Sequence, residues 1–171
     1  MNNRENQLKT EDASWLAGMV EGDGYISICV YRNTKAKLNV SYKAVVGVSN
    51  QDATIINHVD NLFRQIGATP FIQDQKSEGN TPVMCVSTSK LSNVKKILDS
   101  IFPYIVGEKK ARAELVLKFV NRRLENKRQP LEDEDVELLK EMDERFISRK
   151  GKKTQFGRIL NEYTLSKQIN A

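Results

Sequence analysis

Small residues recur at every fourth position near the start of the chain, at Ser14, Gly18 and Gly22. On a helix this spacing puts them on one face, where they allow a second helix to approach backbone to backbone. Each glycine inside a helix costs about 1 kcal/mol relative to alanine, and close helix packing can offset that cost. If the helix packs against its own copy across a two-fold axis, the interface residues are Ser14, Ala17, Gly18, Glu21 and Gly22.

The same predicted helix ends in two carboxylates, Glu21 and Asp23, with Gly22 between them. A carboxylate at a helix C-terminus opposes the helix dipole, so we expect a cation nearby. Across a two-fold axis the two Asp23 side chains converge, and the carbonyl oxygens freed at the glycine-rich helix end add ligands that suit Mg²⁺. The alternative is a helix that ends in a polar turn with Gly24 as its cap, and the residues alone leave both open.

The hydrophobic pattern predicts a helix, two strands, a helix, two more strands, and then only helices. Runs rich in β-branched and aromatic residues predict strands, and apolar residues at helical spacing predict helices. Thr10 is predicted to cap the first helix, Ser49 to open a capping box, and Pro130 to lie in a first helical turn. The predicted elements are helix 11–22, strands 24–31 and 38–49, a helix stopped by Gly67, strands 69–75 and 83–88, a helix from Ser89 to Pro103, helix 108–126, a helix from Pro130 to near Arg149, and an amphipathic stretch with Phe156, Ile159, Leu160 and Tyr163.

Two hairpins joined by helices predict an α+β fold, with a curved antiparallel or mixed sheet and helices packed on one face. We expect a flexible N-terminus at 1–10, a core domain at 11–126 and a helical C-terminal extension at 127–171. Strand alternation directs Ile26, Ile28 and Val30 toward the core. The other sheet face is then polar and aromatic, and a curved sheet of this kind can lie in the major groove of DNA.

The first predicted hairpin is basic, because residues 24–50 include Arg32, Lys35, Lys37 and Lys43 and no acidic residue. A basic stretch in strand-like sequence favours a face that binds a polyanion. A solvated sheet edge, where lysines block pairing with another strand, is the equal alternative. The C-terminal basic residues Arg122, Arg123, Lys152 and Lys153 are candidate phosphate contacts, with solvated surface charge again as the alternative.

Several classes of protein are disfavoured by the composition. No apolar run reaches the length of about 18 residues that a membrane helix needs, and the polar N-terminus does not resemble a secretion signal. The two cysteines, Cys29 and Cys85, and the single histidine, His58, predict no disulfide framework, zinc site or catalytic triad. We therefore expect an intracellular protein from a bacterial, phage or archaeal cytoplasm or from an organelle.

The nine residues Leu16-Ala17-Gly18-Met19-Val20-Glu21-Gly22-Asp23-Gly24 resemble the LAGLIDADG motif of the homing endonucleases. The predicted order of elements also resembles that family's αββαββα core. Two further segments, Val48-Ser49-Asn50-Gln51-Asp52 and Lys109-Lys110-Ala111-Arg112-Ala113-Glu114-Leu115, resemble family segments in the same order along the chain. The resemblance covers most of residues 11–125.

The resemblance implies a metal-dependent DNA endonuclease that binds Mg²⁺, with Mn²⁺ or Ca²⁺ able to occupy the site. Asp23 matches the metal-binding aspartate, and the Gly22 carbonyl oxygen joins the same site. Lys109 matches a basic residue around the active site, and Asn50 stands where the family often has glutamine to position solvent. Glu21 replaces the commoner aspartate at a position that is not the main metal ligand. Only one motif is present, which implies a homodimer that cuts both strands of a roughly palindromic, long DNA site, as an intron-encoded enzyme would.

Strand alternation and family position together give the expected DNA contacts on the free sheet face. Asparagine and glutamine can read adenine, and lysine can read guanine or bind phosphate. The candidates are Tyr25, Ser27, Tyr31, Asn33, Ser41, Lys43, Gln73 and Gln75.

Three alternatives remain open at this point. One is an inactive DNA-binding regulator on the same fold, although Asp23 is present. Another is an intron maturase whose partner is intron RNA. The third is a plain α+β interaction module, which predicts no metal dependence and no steep salt dependence of DNA binding.

Overall fold

The computed structural model describes residues 7–33, 35, 40–75, 82–127, 129–147 and 155–169, and this part of the chain forms one four-stranded sheet and six α-helices. The observed order confirms the predicted αββαββα arrangement followed by further helices. The N-terminal residues 1–6 and the start of the predicted strand 38–49 lie outside the described residues. The elements are α1 (Thr10–Asp23), β1 (Gly24–Arg32), β2 (Val40–Asn50), α2 (Ala53–Gln65), β3 (Phe71–Gln75), β4 (Val83–Thr88), α3 (Leu91–Ile101), α4 (Gly107–Glu125), α5 (Asp133–Met142), a π-helical turn (Asp143–Ile147) and α6 (Gln155–Ile169).

The sheet is antiparallel throughout, with the strand order β1-β2-β4-β3. Ile26, Ile28 and Val30 alternate on the buried face, as the sequence predicted. They belong to one hydrophobic cluster that also contains buried residues of all six α-helices of the described chain. The opposite sheet face contributes no residue to this cluster, so the helices cover one face of the sheet and leave the other available.

The caps of α1 and α2 differ from the prediction. Thr10 is the first helical residue of α1, whose N-cap is Lys9, and no side chain forms a capping hydrogen bond there. Asp52 caps α2, because its side chain accepts a hydrogen bond from Thr54 N at 2.7 Å. Ser49 cannot do so, since it is still extended in β2 and paired with Cys85 of β4. At the other end, Gly67 adopts a φ of 74°, a left-handed conformation suited to glycine, and so ends the helical segment as predicted.

Two later helices begin at residues other than the predicted ones. The helix α3 begins at Leu91 instead of Ser89, and no side chain caps it. Pro130 precedes α5 instead of lying in its first turn, because Glu132 is the N-cap and forms a capping box with Asp135.

The C-terminal helices pack onto the same hydrophobic cluster as the rest of the chain, through residues such as Val136, Leu139 and Leu160. A buried ion pair reinforces this packing: Arg123 of α4 donates to Asp135 of α5 at 2.9 Å, and their side chains are 2% and 0% exposed. Arg123 also donates to the Tyr42 hydroxyl of β2 at 2.9 Å. The division of the chain at residue 126 stays a prediction.

The prediction that Arg122 and Arg123 contact phosphate is therefore corrected. Arg123 is buried and neutralised by Asp135. Arg122 forms ion pairs with Glu132, Glu134 and Asp135, so its charge is also balanced within the chain. Lys152 and Lys153 lie outside the described residues. Within the described helices, none is both long and apolar enough to cross a membrane.

Candidate functional site

The first helix has one buried and one exposed side. Leu16, Ala17 and Val20 are at most 1% exposed and anchor α1 in the core. On the other side Ser14, Gly18 and Gly22 form an exposed stripe of small residues, which we call the small-residue stripe. A Cβ atom placed on Gly18 or Gly22 would meet nothing within 4 Å in the described chain. Ala17 is an exception to the predicted interface, because it faces the chain's own core.

The end of α1 is shaped by Gly24. A Cβ atom at this position would lie 2.5 Å from Val20 Cα and 2.8 Å from Val20 O. These distances are too short for any side chain to fit. Glycine therefore lets the chain pass directly from α1 into β1 without a connecting loop. Asp23 stands at this junction and is exposed to solvent.

Two hydrogen bonds determine the orientation of Asn50 beside Asp23. The Asn50 Nδ2 atom donates to Asp23 Oδ2 at 2.6 Å. The Asn50 Oδ1 atom accepts from the backbone N–H of Asp52 at 2.8 Å. Because the oxygen end of the amide is already engaged, the nitrogen end is directed at the carboxylate.

Lys109 approaches the same helix end from α4. Its ammonium donates to the carbonyl oxygens of Val20 at 2.5 Å, Glu21 at 2.7 Å and Gly24 at 2.8 Å. An ammonium has three N–H donors, so all of them are used. Partial burial lowers the pKa of Lys109 from its ordinary value, while the carboxylates of Glu21 and Asp23 act to raise it. In this arrangement Lys109 caps the negative end of the α1 dipole.

Glu21 fixes the position of α4 relative to α1. Its Oε1 atom accepts a hydrogen bond at 2.8 Å from the backbone N–H of Val106, which is the N-cap of α4. The Glu21 carboxylate, which the sequence placed in a dimer interface, is thus used within its own chain. Glu21 and Lys109 together hold the C-terminal end of α1 against the N-terminal end of α4, next to Asp23.

The strand register places the predicted DNA contacts on one sheet face. Tyr25, Ser27 and Tyr31 of β1 lie directly opposite Gly47, Val45 and Ser41 of β2. Residues directly opposite in an antiparallel pair point to the same face. Lys43 lies opposite Cys29, and Gln73 and Gln75 of β3 lie opposite Cys85 and Val83 of β4. The register places these strand positions on one face, which we call the open sheet face; that its side chains contact DNA stays a prediction.

Individual members of the open sheet face differ in their surroundings. Tyr31, Lys43 and Gln73 are exposed. Asn33, just beyond β1, donates from Nδ2 to Ser41 Oγ at 2.8 Å, which holds the two strands together near the hairpin end.

Phe71 belongs to the open sheet face but was not predicted. It is 45% exposed and lies opposite Ser87 in the register of β3 and β4. The Lys43 ammonium lies 5.8 Å from its ring centroid, within cation–π distance. Its alternation with Gln73 and Gln75 was the available signal, because strand positions two residues apart share a face.

Comparison with protein families gives one match, to the LAGLIDADG endonuclease family model, over residues 16–120. That span is more than half of the 171-residue chain and contains Asp23, Asn50 and Lys109. The chain belongs to the LAGLIDADG endonuclease family. No curated protein matches it at a significant level.

Solved structures of LAGLIDADG homing endonucleases share this fold. One is I-CvuI, solved with the I-CreI target in the presence of Mg and with the DNA not cleaved; its TM-score is 0.72, its identity 20%, and the match covers 95% of this chain and 99% of that one. Another is the archaeal intron-encoded I-Vdi141I complexed with DNA, with a TM-score of 0.71 and 13% identity, over 92% of this chain and 98% of that one. A third, I-TnaI, has a TM-score of 0.69 and 17% identity, and the match covers 92% of this chain and 99% of that one.

The LAGLIDADG helix end fits part of a divalent-cation site. Hard cations such as Mg²⁺ prefer oxygen ligands, and Asp23 offers an exposed carboxylate beside the carbonyl groups of the helix end. Among the described residues of one chain, no group of three or more His, Cys, Asp and Glu side chains could hold a metal. The described residues of one chain therefore supply only part of such a site.

Proposed function

We propose that this LAGLIDADG chain is a site-specific homing endonuclease that acts as a homodimer and makes a metal-dependent double-strand break in a long, roughly palindromic DNA site. The observation that carries the proposal is the position of Asp23. It is exposed at the end of the helix that bears the small-residue stripe, and Asn50 orients it. A carboxylate held in this way next to a surface suited to self-association can form one half of a shared site.

The small-residue stripe supports the homodimer. Ser14, Gly18 and Gly22 are exposed and open, so a second α1 can approach closely along this line. A two-fold axis along the stripe would bring the two Asp23 carboxylates together and double the number of ligands. The same axis would place two open sheet faces in line, which matches a palindromic DNA site.

The open sheet face supports binding to duplex DNA. It presents exposed Lys43, Tyr31 and Gln73, and the chain carries a formal net charge of +5. Arg122 and Arg123 of α4 are neutralised by ion pairs, so the basic hairpin is a better candidate for the polyanion than these two arginines. Base edges in the major groove offer the donors and acceptors that these side chains can read.

The chemistry assigns separate tasks to the three residues around the helix end. Asp23, with the Gly22 carbonyl oxygen, would hold Mg²⁺, and Mn²⁺ or Ca²⁺ can occupy the same kind of site. When bound, the metal supplies an activated water and stabilises the departing 3′ oxygen. Asn50 orients the Asp23 carboxylate, and Lys109 holds the carbonyl groups of the helix end in place.

The test is cleavage of a randomised library of long DNA duplexes by the purified chain, with Mg²⁺ or with a chelator, followed by sequencing of new ends. We expect double-strand ends at one roughly palindromic sequence, only with the metal. Asp23→Asn should abolish cutting and retain DNA binding, and Asp99→Asn, at an exposed position of α3, is the matched control. Specific binding without cutting under any divalent metal would contradict the proposal and favour a regulator, and preferential retention of intron RNA would favour a maturase.

A further inference from the structure

The side chain of Tyr25 crosses the open sheet face from one strand to a strand two positions away. Its outer edge lies over Gly47 of β2, because a Cβ atom built on Gly47 would be 2.7 Å from both Tyr25 Cζ and the Tyr25 hydroxyl. The hydroxyl is 3.2 Å from Cys85 Sγ on β4. The Tyr25 side chain therefore covers β2 at Gly47. Glycine at position 47 leaves room for the Tyr25 ring, because a Cβ atom there would collide with it.

The polar groups in this region are withdrawn from solvent. Cys85 and Ser87 are each 3% exposed although the register directs them to the open sheet face. The Tyr25 hydroxyl has a partner in Cys85, and burial raises the pKa of Tyr25 to about 12. Tyr25 itself is half-buried. Farther along β1 and β2 Tyr31 and Lys43 are exposed, and Gln73 is exposed on β3 opposite Cys85.

Tyr25 is two residues from Asp23, so this covered region is the part of the open sheet face nearest the candidate active site. We infer that Tyr25 is a specificity-determining residue that contacts DNA through its ring and not through its hydroxyl. The base pairs that Tyr25 contacts are then discriminated by apolar contact and shape, and hydrogen-bond readout along β1 and β2 is confined to residues farther from Asp23. This inference rests on the proposed endonuclease function.

The two modes of readout differ in what they detect on a base. A ring contacts the thymine methyl group, whereas hydrogen bonds to purines in the major groove use N7. A bidentate hydrogen-bond contact discriminates between bases by roughly 5- to 150-fold, from about 1–3 kcal/mol. Removing N7 should therefore matter where Tyr31, Lys43 and Gln73 read the DNA, and removing the methyl group should matter next to Tyr25.

The test uses the target recovered from the cleavage library and measures equilibrium binding in chelator, so that cutting does not interfere. Single purines are replaced by their 7-deaza analogues and single thymines by uracil, at each position of the site. In a Gln73→Leu chain, for the base pairs nearest the cut we expect less than about 2-fold loss with 7-deaza purines and a measurable loss with uracil; for the outer pairs we expect at least 5-fold loss with 7-deaza purines.

Two variants distinguish contact through the Tyr25 ring from hydrogen-bond readout at that position. Tyr25→Gln replaces the covering ring with an amide that can read a purine, so it should create sensitivity to 7-deaza purines near the cut. Tyr31→Phe is the matched control on the same strand and face, and it should change the pattern only at outer pairs. Tenfold or greater loss with 7-deaza purines next to the cut in the Gln73→Leu chain would overturn the inference and leave the proposed endonuclease function unaffected. Absence of any specific DNA binding would overturn both.

Discussion

Asn50 donates a hydrogen bond from its side-chain amide to the Asp23 carboxylate across 2.6 Å, and this bond joins the last residue of β2 to the last residue of α1. The other end of the Asn50 amide accepts from the backbone of Asp52, which is the N-cap of α2. Three secondary-structure elements thus fix one carboxylate. In the proposed function Asn50 is a positioning residue, because it would act on the reaction through Asp23.

The first prediction concerns this bond. Asn50→Ala should lower the single-turnover cleavage rate by about 10- to 100-fold, the usual effect of removing a partner that orients a metal ligand. It should also raise the metal concentration needed for half-maximal cleavage, since the Asp23 carboxylate is then free to rotate. Asn50→Gln keeps the amide and should recover part of the rate. An Asn50→Ala protein that cuts with unchanged metal dependence would show that the bond has no such role.

The second prediction separates two roles for Lys109. Lys109→Met leaves three backbone carbonyl groups at the end of α1 without their donor, which should lower the free energy of unfolding by about 1–3 kcal/mol. Cleavage should fall together with stability. Urea unfolding and single-turnover cleavage of the same preparations test this.

The neighbouring lysine provides the control for that experiment. Lys110 lies 5.3 Å from the Phe102 ring centroid as a cation–π contact, so Lys110→Met should cost less than about 1 kcal/mol. If Lys109→Met lost cleavage while its unfolding curve matched that of the unmodified chain, Lys109 would instead act directly on the phosphate.

The third prediction concerns the buried pair of Arg123 and Asp135. Arg123→Met leaves the buried Asp135 carboxylate with only Arg122 and the backbone N–H of Glu132 as partners. The loss of unfolding free energy should therefore lie toward the lower end of the range of about 3–5 kcal/mol that breaking a buried pair costs. The double variant Arg123→Met/Asp135→Leu should recover much of that loss, because no charge then stays buried. Chemical denaturation of both variants measures the difference. Equal stabilities of the single and double variants would mean that the isolated carboxylate carries no penalty.

Sequence patterns predicted the order of the elements because alternation and helical spacing survive in the fold, as Ile26, Ile28 and Val30 illustrate. They located Asp23 and Asn50 through the family motif and its accompanying segment. They did not show that Arg122 and Arg123 are neutralised, because a basic residue in sequence carries no sign of an acidic partner brought close by helix packing.

Other details could not be predicted from the sequence because they depend on which residues are paired in three dimensions. Ser49 has the right identity for a helix cap, but pairing with Cys85 keeps it extended in the sheet. The direction of the Lys109 ammonium depends on where α4 meets α1. The contact between Tyr25 and Cys85 joins β1 to β4 across β2. Spacing along the chain predicts which face of a helix or strand a residue lies on, but it does not predict which residue it contacts there.

The last prediction tests the small-residue stripe. Gly18→Leu adds a side chain where the described chain leaves open space, so the monomer should fold with unchanged or slightly higher stability, since leucine favours helix more than glycine does. A second α1 could then no longer approach closely, and sedimentation velocity should show loss of dimer. Cleavage of the library should be lost with it, because two Asp23 carboxylates can no longer meet. Asn121→Leu, at an exposed position of α4, is the matched control and should retain both the dimer and cleavage. A Gly18→Leu protein that still sediments as a dimer and cuts both strands would place the association surface elsewhere on the chain.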